Sequence, residues 1–220
     1  MSFYTVIITA GGIGKRMNSD LPKQFIEVND KPILMHTLEK FYHFNPKFQL
    51  ILTLPRDWRL YWEELIVSHD FKIPHRIVEG GTERYHSIKN TLDYCFGDYI
   101  LVHDGVRPLV SFKTIETCIE ALKDYESVIP VIGLKESLRI QNNDTSKSVD
   151  RSLYNIVQTP QCFKKEILQQ AYNLPFHEGI TDDSTLVEEA GFEIKMVQGN
   201  EENIKITRKI DLQLAGLFLK

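Results

Sequence analysis

The sequence predicts an α/β fold, a mostly parallel twisted sheet flanked by helices, and three observations carry that expectation. Residues Tyr4 to Ala10 form a near-continuous apolar, β-branched run, the composition of a central strand buried on both faces. The run ends at a loop holding Gly11, Gly12 and Gly14. Beyond that loop, strand-like and helix-like stretches alternate, the pattern of βαβ units.

Taken in order, the loop after the first strand is the most informative stretch. Glycine lets the backbone adopt φ > 0 and bring its N–H groups against a ligand, and Lys15, Arg16 and Lys23 follow at once, so the expected guest is a polyanion. A Walker A loop is excluded because Gly14-Lys15 is followed by Arg16 rather than Ser or Thr. A dinucleotide fingerprint is excluded because Met17 stands where its third glycine belongs. A shorter loop rich in side-chain cations suits a triphosphate undergoing chemistry; read alone, the same residues also fit a tight turn with solvated bases.

Pro32 opens a helical stretch with apolar residues at Ile33, Leu34, Leu38, Phe41 and Tyr42. Phe48 to Leu54 reads as the second strand, stopped by Pro55. A helix from Trp58 to His69 and a short strand at Arg76 to Val78 follow. A second glycine turn, Gly80-Gly81-Thr82, leads into a helix with apolar positions at Ile88, Leu92, Cys95 and Phe96. The fourth strand, Tyr99 to Val102, runs into His103-Asp104-Gly105-Val106-Arg107-Pro108. Ligands of open α/β sheets sit outside the carboxyl ends of strands, so this turn and the first loop are expected to face one pocket. A helix from Ile115 to Tyr125 and a strand from Ser127 to Ile132 complete the regular part.

Residues 133–158 read as a hairpin turning at Asn142-Asn143-Asp144, with no helix to cover it. A lone two-stranded ribbon is marginal in water, so it is expected to pack on the same arm of a second subunit, making a homodimer. Helices near Lys164 to Tyr172 and Ser184 to Ala190, a strand at Glu193 to Val197, the strand-like Asn203 to Thr207 and a helix from Ile210 close the chain. Thr181-Asp182-Asp183-Ser184 supplies helix-capping side chains.

Composition narrows the function. The chain has 220 residues, 42% hydrophobic and 25% charged, which fits one domain over 1–220 with 133–158 as its arm. A net charge of −4 argues against nucleic acid or a membrane surface as partner, leaving small molecules. Cys95, Cys118 and Cys162 lack metal-site spacing and are odd in number; with no leader-like start and no long apolar run, a cytoplasmic location is expected.

Six phrases occur in one order: Ala10 to Met17 with Leu21-Pro22-Lys23-Gln24; Gly80 to Arg84; Val102 to Pro108; Gln158-Thr159-Pro160-Gln161; Thr181-Asp182-Asp183; and Asn203-Ile204-Lys205-Ile206-Thr207. Together they resemble the 2-C-methyl-D-erythritol 4-phosphate cytidylyltransferases of non-mevalonate isoprenoid synthesis over nearly the whole chain. Ribitol-5-phosphate cytidylyltransferases share most of them. The resemblance implies a Rossmann-like nucleotidyltransferase fold and transfer of CMP from CTP to a polyol phosphate with loss of pyrophosphate.

It further implies catalytic roles for Arg16, Lys23 and Lys205 around the triphosphate. Ala10, Gly11, Gly12, Gly14, Gly81, Thr82, Arg84, Ser87 and Asp104 would bind CTP, with Asp104 holding Mg²⁺. Arg107, Thr159 and Thr181 would meet the acceptor, with Ser137 and Arg151 arriving from a partner's arm. A hard cation that keeps its waters needs one or two carboxylates, so Asp104 needs no metal cage. His103 is expected to be structural, since strand alternation turns it away from Asp104 and an anionic phosphate nucleophile needs no base. Two departures from the family pattern stand out: Gly105-Val106, where many members have two alanines, and Glu136-Ser137, where they have Asp-Thr. The first keeps ribitol 5-phosphate as an alternative acceptor. A non-catalytic nucleotide-binding regulator is a further alternative, disfavoured because Lys23, Asp104 and Lys205 are all present.

Overall fold

A computed structural model describes residues 3–11 and 21–219. The first apolar run forms β1 (Tyr4–Thr9). Along the chain follow β2 (Glu27–Val28), β3 (Lys31–Pro32), α1 (Ile33–Phe44), β4 (Gln49–Leu54), α2 (Arg59–Ser68), β5 (Arg76–Glu79), α3 (Arg84–Leu92), β6 (Tyr99–Asp104) and α4 (Phe112–Ala121). The second half holds β7 (Ser127–Gly133), β8 (Leu138–Asn142), β9 (Thr145–Val149), β10 (Asn155–Val157), β11 (Gln161–Lys164), α5 (Lys165–Ala171), α6 (Asp183–Glu189), β12 (Lys195–Gln198) and α7 (Lys209–Phe218).

β1 lies between β4 and β6, parallel to both, and β5 continues the sheet beyond β4. On the far side of β6 the antiparallel β11 intervenes before β7, and β12 pairs in parallel along the other flank of β7. The sheet is therefore α/β and mostly parallel, with β10 and β11 as its antiparallel strands. Side-chain alternation along β1 explains the layering. Val6 and Ile8 face a core shared with Leu34, Leu38 and Phe41 of α1, Trp62 of α2 and Ile115 of α4. Ile7 faces the opposite core, with Ile88 of α3, Leu168 of α5 and Leu186 of α6. All three β1 residues are fully buried, and each such side chain contributes about 1.5–3 kcal/mol. A smaller third core joins Ala215 of α7 to Val28, Ile33, Val106 and Ile206.

The cap expected at Asp182 is present, and Ser111 supplies a second that starts α4 at Phe112, ahead of the expected Ile115. Ser111 Oγ accepts from Thr114 N (3.0 Å) to start α4, and Asp182 Oδ1 accepts from Thr185 N (2.8 Å) to start α6. Four readings need correction. β11 was not anticipated: its two apolar residues, Cys162 and Phe163, are adjacent and give neither alternation nor a run, yet both are fully buried between β6 and β7. The β2–β3 hairpin escaped for its brevity; it turns at Asn29 and Asp30 with φ of 51° and 59°, positive at both central residues. α3 stops at Leu92, and Phe96 is exposed rather than core. The free arm is shorter than 133–158, because Asn155–Val157 find backbone partners on β7 from Val131 to Gly133, leaving β8 and β9 as a separate two-stranded sheet. No helix among the described residues is long and apolar enough to cross a membrane.

Gly105, just past β6, is held where a side chain has no room. A Cβ there would stand 3.0 Å from the Thr9 carbonyl oxygen and 3.0 Å from Leu34 Cδ1, while Gly105 N itself bonds Thr9 O at 2.9 Å. With backbone on one side and a packed core on the other, an alanine here requires its neighbours to give by a few tenths of an ångström. Gly105→Ala is expected to destabilise the fold by about 1–2 kcal/mol, read as a lower midpoint in urea unfolding with unchanged slope.

Candidate active site

β1, β5 and β6 all end on the same side of the sheet, and their carboxyl ends border a cleft of about 450 Å³. Thr9, Ala10 and Gly11 come from β1 and its loop, Gly81 to Arg84 from the turn after β5, Asp104 and Val106 from the end of β6, and Lys205 from the segment before α7. Lys23 and Gln24 reach in from a short 3₁₀ turn, Lys23–Phe25. Of the residues singled out in the sequence, Ala10, Gly11, Lys23, Gly81, Thr82, Arg84, Ser87, Asp104 and Lys205 thus meet around one space. Gly12, Gly14, Lys15 and Arg16 lie outside the described residues.

The backbone here is tightly specified. Ala10 N bonds Thr53 O at 3.0 Å, and Ala10 O accepts from the buried amide Gln24 Nε2 at 2.7 Å. At Gly81 a Cβ would lie 2.3 Å from His86 Cβ, so only glycine fits the second turn. Gly81 N donates to Ser87 Oγ (3.0 Å), and Ser87 Oγ donates to Glu83 O (3.1 Å). Ser87 therefore shapes the turn as well as lining the cleft.

Charge in the cleft is organised by two buried carboxylates. Asp104 Oδ2 meets Arg107 Nε at 3.0 Å and Lys205 Nζ at 3.1 Å. Burial alone would raise its pKa; Lys205, Arg84 and Arg107 override that and hold the carboxyl well below the ordinary range. Asp183, at the start of α6 and fully buried, pairs with Arg84 and accepts from Tyr172 Oη at 2.6 Å. Burial would lower the Arg84 pKa, but Asp183 beside it drives it above the usual guanidinium value, so Arg84 is a permanent cation. Sequence reading missed Asp183 as its partner because 99 residues separate them.

His103 stands behind Asp104, as expected of a structural residue. Its Nε2 donates to Arg107 O (3.0 Å), which leaves Nδ1 to accept from Thr159 Oγ1 (2.9 Å); that hydroxyl in turn accepts from Asp104 N (3.2 Å). Burial pushes the imidazole down to about 4.

The residues expected at the acceptor do not line this cleft. Arg107 is turned toward Asp104 and the Asn203 carbonyl, and the Thr159 hydroxyl is engaged with His103, so neither lines the cleft. Thr181 is exposed at the entry to α6, sharing a hydrogen bond with Thr185. Ser137 and Arg151 lie exposed on the arm, with the Arg151 guanidinium donating to Lys135 O. Thr9, Gln24 and Glu83 line the cleft without having been given a site role, and Val106, noted in the sequence as a departure from the family pattern, lines it too. Gln24 was the one legible in principle, as an amide set directly after the key lysine. Lys205 lies on an irregular segment rather than a strand.

No group of three or more His, Cys, Asp or Glu that could hold a metal occurs among the described residues. Asp104 offers a single ionised carboxylate, which matches the needs of a Mg²⁺ that keeps its waters and takes its other ligands from phosphates.

Glycine backbone and fixed cations gathered at strand ends suit a polyphosphate, and mark an enzyme class in which binding that group and stabilising its reaction are one task. Comparison with known proteins gives the particular kind. The family described as IspD, 2-C-methyl-D-erythritol 4-phosphate cytidylyltransferase, matches residues 4–220, and the chain belongs to that family. Relatives of that name from Bacteroides thetaiotaomicron and Phocaeicola vulgatus are 44% and 45% identical, over 98% and 97% of this chain and 99% and 98% of theirs. Among solved structures, 4-diphosphocytidyl-2C-methyl-D-erythritol synthase from Anaerococcus prevotii superposes with a TM-score of 0.83 at 28% identity, covering 99% of this chain and 98% of that one. The Francisella tularensis 2-C-methyl-D-erythritol 4-phosphate cytidylyltransferase gives 0.80 at 28% identity, over 98% and 99% of the two chains.

Because His103 stays neutral in the fold down to about 4 while an unfolded histidine takes its proton near 6.5, its contribution is complete above pH 6.5 and drains away as pH falls toward 4. Between pH 7 and pH 5 this removes about 2 kcal/mol of stability. Urea unfolding at the two pH values is expected to show that loss, and His103→Gln to reduce the difference by about the same amount; an unaltered difference would contradict it.

Proposed function

We infer that this chain transfers CMP from CTP to 2-C-methyl-D-erythritol 4-phosphate and releases pyrophosphate, the cytidylyl-transfer step of the non-mevalonate route to isoprenoid precursors. The observation that carries the reading is end-to-end family membership in a chain whose Lys23, Arg84 and Lys205 line one cleft. An oxygen of the acceptor phosphate attacks the α-phosphorus of CTP, a P–O bond forms, and the bond to the β-phosphate bridging oxygen breaks in line. Charge gathers on the equatorial and leaving oxygens, where Lys23 and Lys205, with Arg16, stabilise it. The nucleophile is already anionic, so no general base is needed; His103, buried and bonded at both nitrogens, offers none.

The backbone of Ala10, Gly11 and Gly81 is suited to ribose, phosphate and the pyrimidine edge, with Thr82, Ser87 and Arg84 beside it. Asp104 would hold Mg²⁺, whose contribution when bound is to neutralise triphosphate charge. Arg107 and Thr159 serve this site by fixing Asp104. Val106 lines the cleft where the polyol would enter.

A second copy of the chain belongs to the proposal. The arm is a two-stranded ribbon, and Ile140, Leu153, Tyr154 and Ile156 are exposed on and beside it, apolar surface that a partner's arm would cover. Such an arrangement would bring the partner's Ser137 and Arg151 to the acceptor phosphate, where an arginine fork can bind bidentately. Three buried, unpaired cysteines suit a reducing cytoplasm.

Pyrophosphate release with CTP and Mg²⁺ is expected with 2-C-methyl-D-erythritol 4-phosphate, and activity with ribitol 5-phosphate alone would overturn the reading. Lys23→Ala should lower kcat/KM by about a hundredfold or more. Mixing Lys23→Ala and Arg151→Ala subunits should restore part of the activity, since one site of each mixed dimer is intact; no recovery would contradict the crossing arm.

A further inference from the structure

Lys205 poses a positional problem. Its side chain is 44% exposed and flexible, and the residues around it, Asn203 to Thr207, have no repeating backbone hydrogen bonds to hold them. Yet Asn203 and Ile206 are both fully buried. Ile206 is anchored through its amide to Val106 O (3.0 Å) and its side chain in the third core. Asn203 is anchored from two sides. Its Nδ2 donates to Thr159 O (2.8 Å), while its own carbonyl accepts from Arg107 Nη1 (2.7 Å) and Gln158 Nε2 (3.4 Å). Gln158 Nε2 also donates to Asn200 O (2.8 Å), at the start of the same turn.

The partners of Asn203 are the groups that hold Asp104. Arg107 spans the Asn203 carbonyl and Asp104 Oδ2; Thr159 takes Asn203 Nδ2 on its carbonyl and Asp104 N on its hydroxyl. The circuit closes where Lys205 Nζ returns to Asp104 Oδ2 at 3.1 Å. We propose that Asn203 is a positioning residue for the transfer reaction: its bonds to Thr159 and Arg107 set the place of Lys205 over the cleft relative to Asp104. The Gln158 amide reinforces the same turn. This rests on the functional reading above, in which Lys205 faces the reacting phosphates, and it gives the amides of Gln158 and Asn203 a role that motif reading leaves blank.

Two measurements test it. The first needs no substrate: acetylation of Lys205 by acetic anhydride in the ligand-free protein, followed by mass spectrometry, with exposed lysines on other elements such as Lys72 and Lys123 as internal controls. Asn203→Ala is expected to accelerate labelling at Lys205 several-fold with the controls unmoved; an unchanged Lys205 rate overturns the clamp whatever the substrate proves to be. The second is a double-mutant cycle on kcat with CTP and the polyol phosphate. Asn203→Ala should lose about ten- to a hundredfold when Lys205 is present and less than about twofold in the Lys205→Ala background, since misplacement by an ångström has effects of that order. Equal losses in both backgrounds would show that Asn203 acts independently of Lys205 and overturn the inference. If Asn203→Ala does not fold, Asn203→Ser, which stays polar but is too short to reach the Thr159 carbonyl, goes through both measurements. A wild-type protein inactive with these substrates would instead overturn the functional reading, while labelling still decides the clamp.

Discussion

The carboxylate of Asp104 is the point on which the site depends. It is nearly buried, at the end of a central strand, and two cations from different parts of the chain close on one of its oxygens. Such an arrangement is a poor investment if stability were its purpose, because desolvating ions offsets most of the attraction between them and an apolar cluster would serve as well. Its value is electrostatic preorganisation: one fixed anion holds both Lys205, which lines the cleft, and Arg107, which does not, where like charges would otherwise repel. Arg84, tied to Asp183, repeats the device elsewhere in the cleft lining. Of the three cations, Lys205 has the most exposed side chain and so the greatest freedom to exchange a protein oxygen for one on a phosphate.

This arrangement is possible because the fold delivers strand ends to one edge. β1, β5 and β6 run in parallel, so the loops following them emerge together although they lie up to about a hundred residues apart in the chain. Glycine at positions 81 and 105 then lets backbone approach backbone where a side chain would collide.

Much of the fold was legible in the sequence, because hydrophobic periodicity is a local signal. The long run of β1, the βαβ alternation and the helical spacing of Ile33, Leu34, Leu38 and Phe41 all lead to observed elements. What escaped was short or decided by distant neighbours. Cys162 and Phe163 become a strand only because β6 and β7 stand on either side, and the two-residue strands beside Asn29 and Asp30 are too brief to show a pattern. The site divides in the same way. Residues that line the cleft through motif glycines and lysines could be named from the chain alone. Polar networks could not: nothing periodic links Arg84 to Asp183, or Asn203 to Thr159 and Arg107, and motif membership alone does not tell a residue touching substrate from one holding its neighbour.

The central claim is that cations from separate segments converge on one polyphosphate. A crystal structure of the chain with CTP bound tests it most directly. The account predicts the triphosphate within hydrogen-bonding distance of both Lys23 Nζ and Lys205 Nζ, with the nucleotide lying along the Gly81 turn. Phosphates contacting neither lysine, with Lys205 still closed on Asp104, would contradict it.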